Sequence, residues 1–316
     1  MKKKNRKVSL NYVKNEFNFV ALTLLLYALL IAYLPFMLLQ YANVTVGTHP
    51  TLNDISIRIA YLYIIVIFGT FIPFFILMKH ERFRFRDIWA ECNFGFKDIF
   101  TNAVVFTAVG TLMIFVSSII NNYFHIGNSL IIPIGLPHSP AMLKEPLYLF
   151  LCIVATPILE EFAFRGVLLK GLGRFGYYFA MIASSVIFGV FHGAYSEMLP
   201  AFVLGIFLSQ IVLRYRSIQP AVIVHILYQA IVFGLELIPE THYYVTAGII
   251  LGIYLLALLL IMSKQFRFAK IHKRYNAKTV SLIFFTRFAI IFVIIIMLVF
   301  AFLNTSAFAA LKLPIA

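Results

Sequence analysis

The sequence predicts an all-α fold: a polytopic transmembrane bundle of about eight to nine helices with its N-terminus in the cytoplasm. Three observations carry this. Of 316 residues, 62% are hydrophobic and 12% charged, at a mean hydropathy of +0.94, whereas soluble domains are about 25% charged. Apolar runs able to cross a hydrocarbon core of about 30 Å, at roughly 1.5 Å of rise per residue, recur along almost the whole chain. The basic residues fall in alternate connections between those runs, as the positive-inside rule requires of a multi-pass protein.

Taken in order, the runs lie near residues 17–40, 57–78, 99–121, 146–168, 177–194, 199–213, 220–238, 244–262 and 282–303, the fifth and sixth being short. The first follows the basic stretch MKKKNRK, yet it is longer than a signal-peptide core and no small-residue cleavage site follows it, so a spanning helix is expected rather than a leader. Lys2, Lys3, Lys4, Arg6 and Lys7 precede the first run, and Lys79, Arg82, Arg84, Arg86 and Lys97 follow the second. Lys170 and Arg174 follow the fourth run, Arg214 and Arg216 the sixth, and KQFRFAKIHKRYNAK the eighth. The intervening connections, such as ANVTVGTHPTLND and PETHYY, carry almost no Lys or Arg, which puts the C-terminus outside if the number of spans is odd. The segment 79–98 mixes aromatic and charged residues, as expected of a cytoplasmic loop lying at the membrane surface.

The net charge of +14 is spread between apolar runs rather than gathered on one face, so a nucleic-acid partner is not expected. The expected surroundings are the lipid bilayer of a cell membrane, a bacterial plasma membrane. Two cysteines, Cys92 and Cys152, give no basis for a disulfide framework. No internal repeat or flexible linker divides the chain. By the placement of its polar residues it reads as about three helices over 1–144, a core over 145–240, and about two further helices over 241–316.

Ionisable side chains inside spanning helices cost roughly 2.5–3.5 kcal/mol each, and they mark cavities or partners. Those the apolar runs contain are Glu160, Glu161 and Arg165 in the fourth, His192 at the end of the fifth, and His225 and Glu236 in the seventh. Residues four apart share a helix face, which pairs Glu161 with Arg165, Phe188 with His192, and His225 with Gln229. Glu160 is turned about 100° from Glu161 on an ideal helix, so one carboxylate can pair with Arg165 while the other faces a cavity. A carboxylate that takes a proton, an imidazole that orients water or holds a metal, and an amide that donates to an oxyanion are the groups of peptide hydrolysis. Glu236, near the outer end of its helix, reads as an interfacial carboxylate. His49, His80, His125, His138, His242 and His272 fall in predicted loops and receive no role.

At these residues the sequence resembles the CPBP family of intramembrane proteases, which includes the type II CAAX prenyl endopeptidases and the Abi and lysostaphin-resistance-A-like proteins. The motifs EExxxR, FxxxH and HxxxN read here as EEFAFR (160–165), FGVFH (188–192) and HILYQ (225–229). The third departs at its last position, with Gln229 in place of Asn. The resemblance implies an intramembrane endopeptidase acting on a membrane-associated peptide or protein. Glu160 would be the general base with His192 as its partner, Glu161 and Arg165 a supporting pair, and His225 with Gln229 the oxyanion or metal-side group. It leaves open whether a zinc or other divalent ion, held by Glu160, His192 and His225, takes part. Gln is one methylene longer than Asn, and a displacement of about 1 Å can cost about a hundredfold in rate. A non-catalytic scaffold with the same fold and a proton- or cation-coupled transporter are the rival readings.

The spacing also poses a problem. Counted from the cytoplasmic loops, Glu160 and His225 fall at similar depths, whereas His192 lies farther out if the fifth helix starts at Tyr177. Re-entry of LLKGLGRFGYY into the membrane through its three glycines would remove the discrepancy.

Overall fold

The structure, a computed structural model, describes residues 10–33, 55–124, 146–269 and 277–303. The basic N-terminal stretch, the connections after the first and third runs, and His49, His125, His138 and His272 lie outside the described residues. Among the described residues all regular structure is helical. The principal helices are α1 (Leu10–Tyr33), α2 (Ile55–His80), α3 (Phe96–Phe124), α4 (Pro146–Gly173), α5 (Tyr177–Phe191), α6 (Tyr195–Tyr215), α7 (Gln219–Glu236), α8 (Tyr243–Met262), α9 (Ala277–Phe285) and α10 (Phe288–Leu303). Seven are long and apolar enough to cross a membrane, or eight spans if the bent pair α9 and α10 counts as one. The chain is a multi-pass, all-α membrane protein.

Three runs differ from their expected form. The ninth is not one helix: α9 and α10 meet at 65°, and the break falls at Thr286 and Arg287. The sequence reading passes over Arg287, whose guanidinium donates from Nε and Nη2 to Asn18 Oδ1 of α1, at 3.1 and 2.9 Å. The sixth run is a 21-residue helix beginning at Tyr195, four residues earlier than its hydropathy suggests. The fourth continues to Gly173, five residues past its expected end.

That last extension resolves the depth problem without a re-entrant coil. Gly171 and Gly173 are helical, and only Gly176, at φ +124°, serves the reversal into α5, a backbone region open chiefly to glycine. Counted from this turn, Glu160 lies about 20 Å along α4 and His192 about 22 Å along α5. His225 is only about 9 Å from the start of α7, but α7 itself starts inside the bundle. Ser217 and Ile218 are buried, the Ile218 N–H donates to the Ile88 carbonyl at 3.4 Å, and Gln219 Nε2 donates to the Trp89 carbonyl at 3.3 Å. Residues 85–89 are therefore tucked against the bundle. Ile88 packs so closely on Gly166 that a Cβ there would stand 2.5 Å from its Cγ2.

Helix α4 is central, packing on α2, α5 and α7. Helices α5 and α6 approach closely where Gly189 faces the Met198 carbonyl, which a Cβ would meet at 2.7 Å. At 15 residues, α5 is about 22 Å long, too short to cross a core of about 30 Å. It is surrounded by protein instead, with ten of its residues buried. Ion pairs tie one end of the bundle together. Arg174 reaches Glu16 at 2.7 Å and Glu81 at 2.6 Å, His80 reaches Glu16 at 3.0 Å, and Lys170 Nζ donates to the Asp87 carbonyl. The polar residues of the motifs converge away from that end.

Candidate active site

The middle of α4 is not a regular α-helix. Residues Leu151–Ala155 and Glu161–Leu169 form π turns on either side of an α segment, Thr156–Glu160. Pro157 has no N–H to give the i→i−4 ladder, and the preceding turn widens so that the Thr156 N–H reaches the Leu151 carbonyl. Insertions of this kind are characteristic of functional sites. Glu160 is the last residue of the α segment and Glu161 the first of the wider turn, so the two carboxylates diverge on a helix that the ideal 100° rotation does not describe.

Glu161 turns into the protein, at 0% exposure. Its Oε1 accepts from Arg165 Nη1 at 2.9 Å and from the Nδ1–H of His225 at 3.1 Å. Arg165, 1% exposed, places its guanidinium 4.0 Å from the centre of the Phe188 ring. Such a desolvated cation–π contact contributes about 2 kcal/mol. A buried charge stripped of its partner costs about 3–5 kcal/mol, so the four side chains form a brace in which each member needs the others.

Phe188 also sets the imidazole of His192. The rings meet edge to face at 4.6 Å, and His192 Nδ1 lies 2.8 Å from the Phe188 carbonyl. A carbonyl can only accept, so Nδ1 carries the proton and Nε2 keeps its lone pair. The FxxxH spacing thus places, one turn apart, a ring that caps Arg165 and a carbonyl that fixes the histidine tautomer.

Glu160 faces a cavity of about 420 Å³, which Phe188, His192, His225 and Gln229 also line. His225 Nε2 stands 3.8 Å from Glu160 Oε2, so this imidazole spans from the brace to the cavity. All four residues expected to be catalytic, Glu160, His192, His225 and Gln229, border one space. The supporting pair Glu161 and Arg165 lies behind it. A carboxylate and an imidazole lone pair facing the same space can accept hydrogen bonds from the two O–H groups of a water molecule, leaving an oxygen lone pair free to attack.

Two carboxylates of the cavity were not expected there. Glu197 lies ahead of residue 199, where hydropathy rises, yet within the helix, which begins at Tyr195. Glu236 is not merely interfacial: it lines the same cavity from the end of α7. The remaining described histidines, His80 and His242, bond to Glu16 and Thr241 away from the cavity.

The donors expected for a metal ion, Glu160, His192 and His225, share the cavity but do not converge. Among the described residues no group of three or more His, Cys, Asp or Glu is arranged to hold one. His225 and His192 each donate Nδ1–H, to Glu161 and to the Phe188 carbonyl, and both line the cavity with Nε2 uncommitted to a hydrogen bond, the state in which an imidazole can take a metal.

No curated protein and no solved structure matches the chain. Residues 142–231, which contain all three motifs, match the family model of the type II CAAX prenyl endopeptidases, Rce1-like, a protease family, and this match is consistent with a protease of the CPBP family.

Proposed function

We propose that the chain is an intramembrane endopeptidase that hydrolyses a membrane-associated peptide or protein with water activated by Glu160 and His192. The observation that carries the reading is the convergence of Glu160, His192, His225 and Gln229 on one cavity, behind which Glu161 and Arg165 neutralise each other. A packing cluster would pair both carboxylates; here Glu160 is turned to the open space.

In this mechanism Glu160 and the Nε2 lone pair of His192 accept hydrogen bonds from one water, aiming its oxygen at the scissile carbonyl carbon. Glu160 takes the proton as the C–O bond forms. The Gln229 amide donates to the developing oxyanion, a contribution of about 10²–10³ in rate when the donor is well placed. Collapse of the tetrahedral intermediate breaks the C–N bond, and Glu160 returns the proton to the leaving amine. His225, anchored to Glu161 through Nδ1–H, presents Nε2 beside the Glu160 carboxylate. No step is routed through a metal.

The N-terminus is assigned to the cytoplasm and the protein to the cell membrane on the charge asymmetry of the connections. The cavity lies toward the ends of α3, α6 and α7 remote from the basic residues, so the substrate reaches it from the non-cytoplasmic side. The test is proteolysis of a membrane-peptide library by the full chain reconstituted in liposomes. Cleavage lost in Glu160→Ala and His192→Ala supports the reading; no cleavage of any peptide by wild type favours a scaffold, and ion flux without cleavage a carrier.

A further inference from the structure

Beyond the hydrolytic groups the cavity holds two more carboxylates, set among apolar and hydroxyl side chains. Glu197 projects from α6 and Glu236 from the end of α7, and Glu197 is close enough to feel the charges of both Glu160 and Glu236. Two uncharged side chains complete it. Thr156, 6% exposed, and Asn121 both line the cavity, and their buried Oγ1 and Oδ1 atoms have no hydrogen-bond partner. Thr156 stands one turn before Glu160 on α4.

Helix chemistry favours Glu197, in the first turn of α6, but not the second carboxylate. Glu236 is the last residue of α7, where the exposed carbonyl ends make a carboxylate unfavourable. Among the described residues no Lys or Arg lines the cavity. Among the described residues, none forms an ion pair with either side chain. Two carboxylates and a helix C-terminus give one space a negative potential, and the unpartnered Thr156 and Asn121 oxygens add two acceptors to it. The complementary ligand carries positive charge and hydrogen-bond donors, as an ammonium or guanidinium does.

We infer that Glu197, Glu236, Thr156 and Asn121 form a subsite for a cationic group of the substrate, a Lys or Arg side chain or an amino terminus close to the scissile bond. This rests on the endopeptidase reading for its role, though not for the binding itself. The inference selects basic membrane-associated peptides over neutral ones.

Binding separates the two ideas. The full chain in detergent, carrying Glu160→Ala to prevent turnover, is titrated with apolar membrane peptides bearing an uncharged fluorophore. In one set Lys is walked along the sequence, and in the other norleucine takes its place. The subsite predicts that the best Lys peptide binds roughly tenfold or more tightly than its norleucine twin. Glu197→Gln with Glu236→Gln, which preserve volume, should bring the two together while leaving norleucine binding unchanged. Equal binding of both sets to the parent protein overturns the inference, as does a Lys preference that survives the double substitution. Cleavage by wild type is followed in parallel. A Lys preference in binding without any cleavage keeps the subsite and defeats the protease reading. Cleavage with no charge preference does the reverse.

Discussion

Glu160 and Glu161 are adjacent in the chain and occupy opposite environments. Glu161 faces a closed region in which Arg165 and His225 share one of its oxygens and Phe188 covers the guanidinium. Glu160 faces a space of about 420 Å³ lined by further acceptors. The difference teaches that a buried carboxylate pair in a membrane helix can divide its work. One side chain holds three helices in register, and the other is left available because the first has taken the guanidinium of Arg165.

Substitutions should therefore separate activity from stability across this boundary. The largest effect on rate is expected for His192→Ala, a fall of about 10²–10⁴ in kcat with the thermal midpoint in detergent close to wild type, measured by peptide cleavage and by unfolding on one preparation. On the braced side, Glu161→Ala should cost about 3–5 kcal/mol because it strands Arg165. Arg165→Lys should not restore the loss, since an ammonium lacks the planar face that rests on Phe188. An Arg165→Lys protein as stable as wild type would dissolve the distinction between the two faces.

Gln229→Ala should lower kcat by about 10² with KM little changed, as removal of an oxyanion donor does. A rise in KM alone would make Gln229 a substrate contact instead. Phe188→Leu removes the cation–π contact and loosens the His192 ring, for a loss of about 2 kcal/mol in stability together with reduced kcat. Smallest of all is the response to a zinc chelator. Cleavage should continue unchanged in its presence, and activity abolished by chelation and restored by added zinc would show that the donors rearrange around a metal.

The all-α membrane fold was legible because hydropathy reports burial in lipid directly. The Glu161–Arg165 contact was equally legible, because i,i+4 neighbours meet on a helix whatever surrounds it. The depth of His192 was not, since it depends on α4 continuing through Lys170, Gly171 and Gly173, residues that hydropathy and glycine content both mark as a loop. Nor was Glu197. A helix that lines a polar cavity begins with polar residues, and an apolar-run criterion trims off the part that carries the chemistry. Arg287 shows the same effect in another form, because a single guanidinium inside an apolar run marks the 65° break between α9 and α10. The π turns around Glu160 have a sequence cue in Pro157, but their extent to Leu169 depends on packing against α2 and α5.

The account stands on Glu160 being available for chemistry while its neighbour is not, and the isosteric amide tests this most directly. Glu160→Gln keeps the volume and polarity of the side chain and removes only its ability to take a proton. Cleavage of the best library peptide by the reconstituted variant should fall at least about a hundredfold, with an unfolding midpoint matching wild type. Cleavage at the wild-type rate by a folded Glu160→Gln protein would contradict the account.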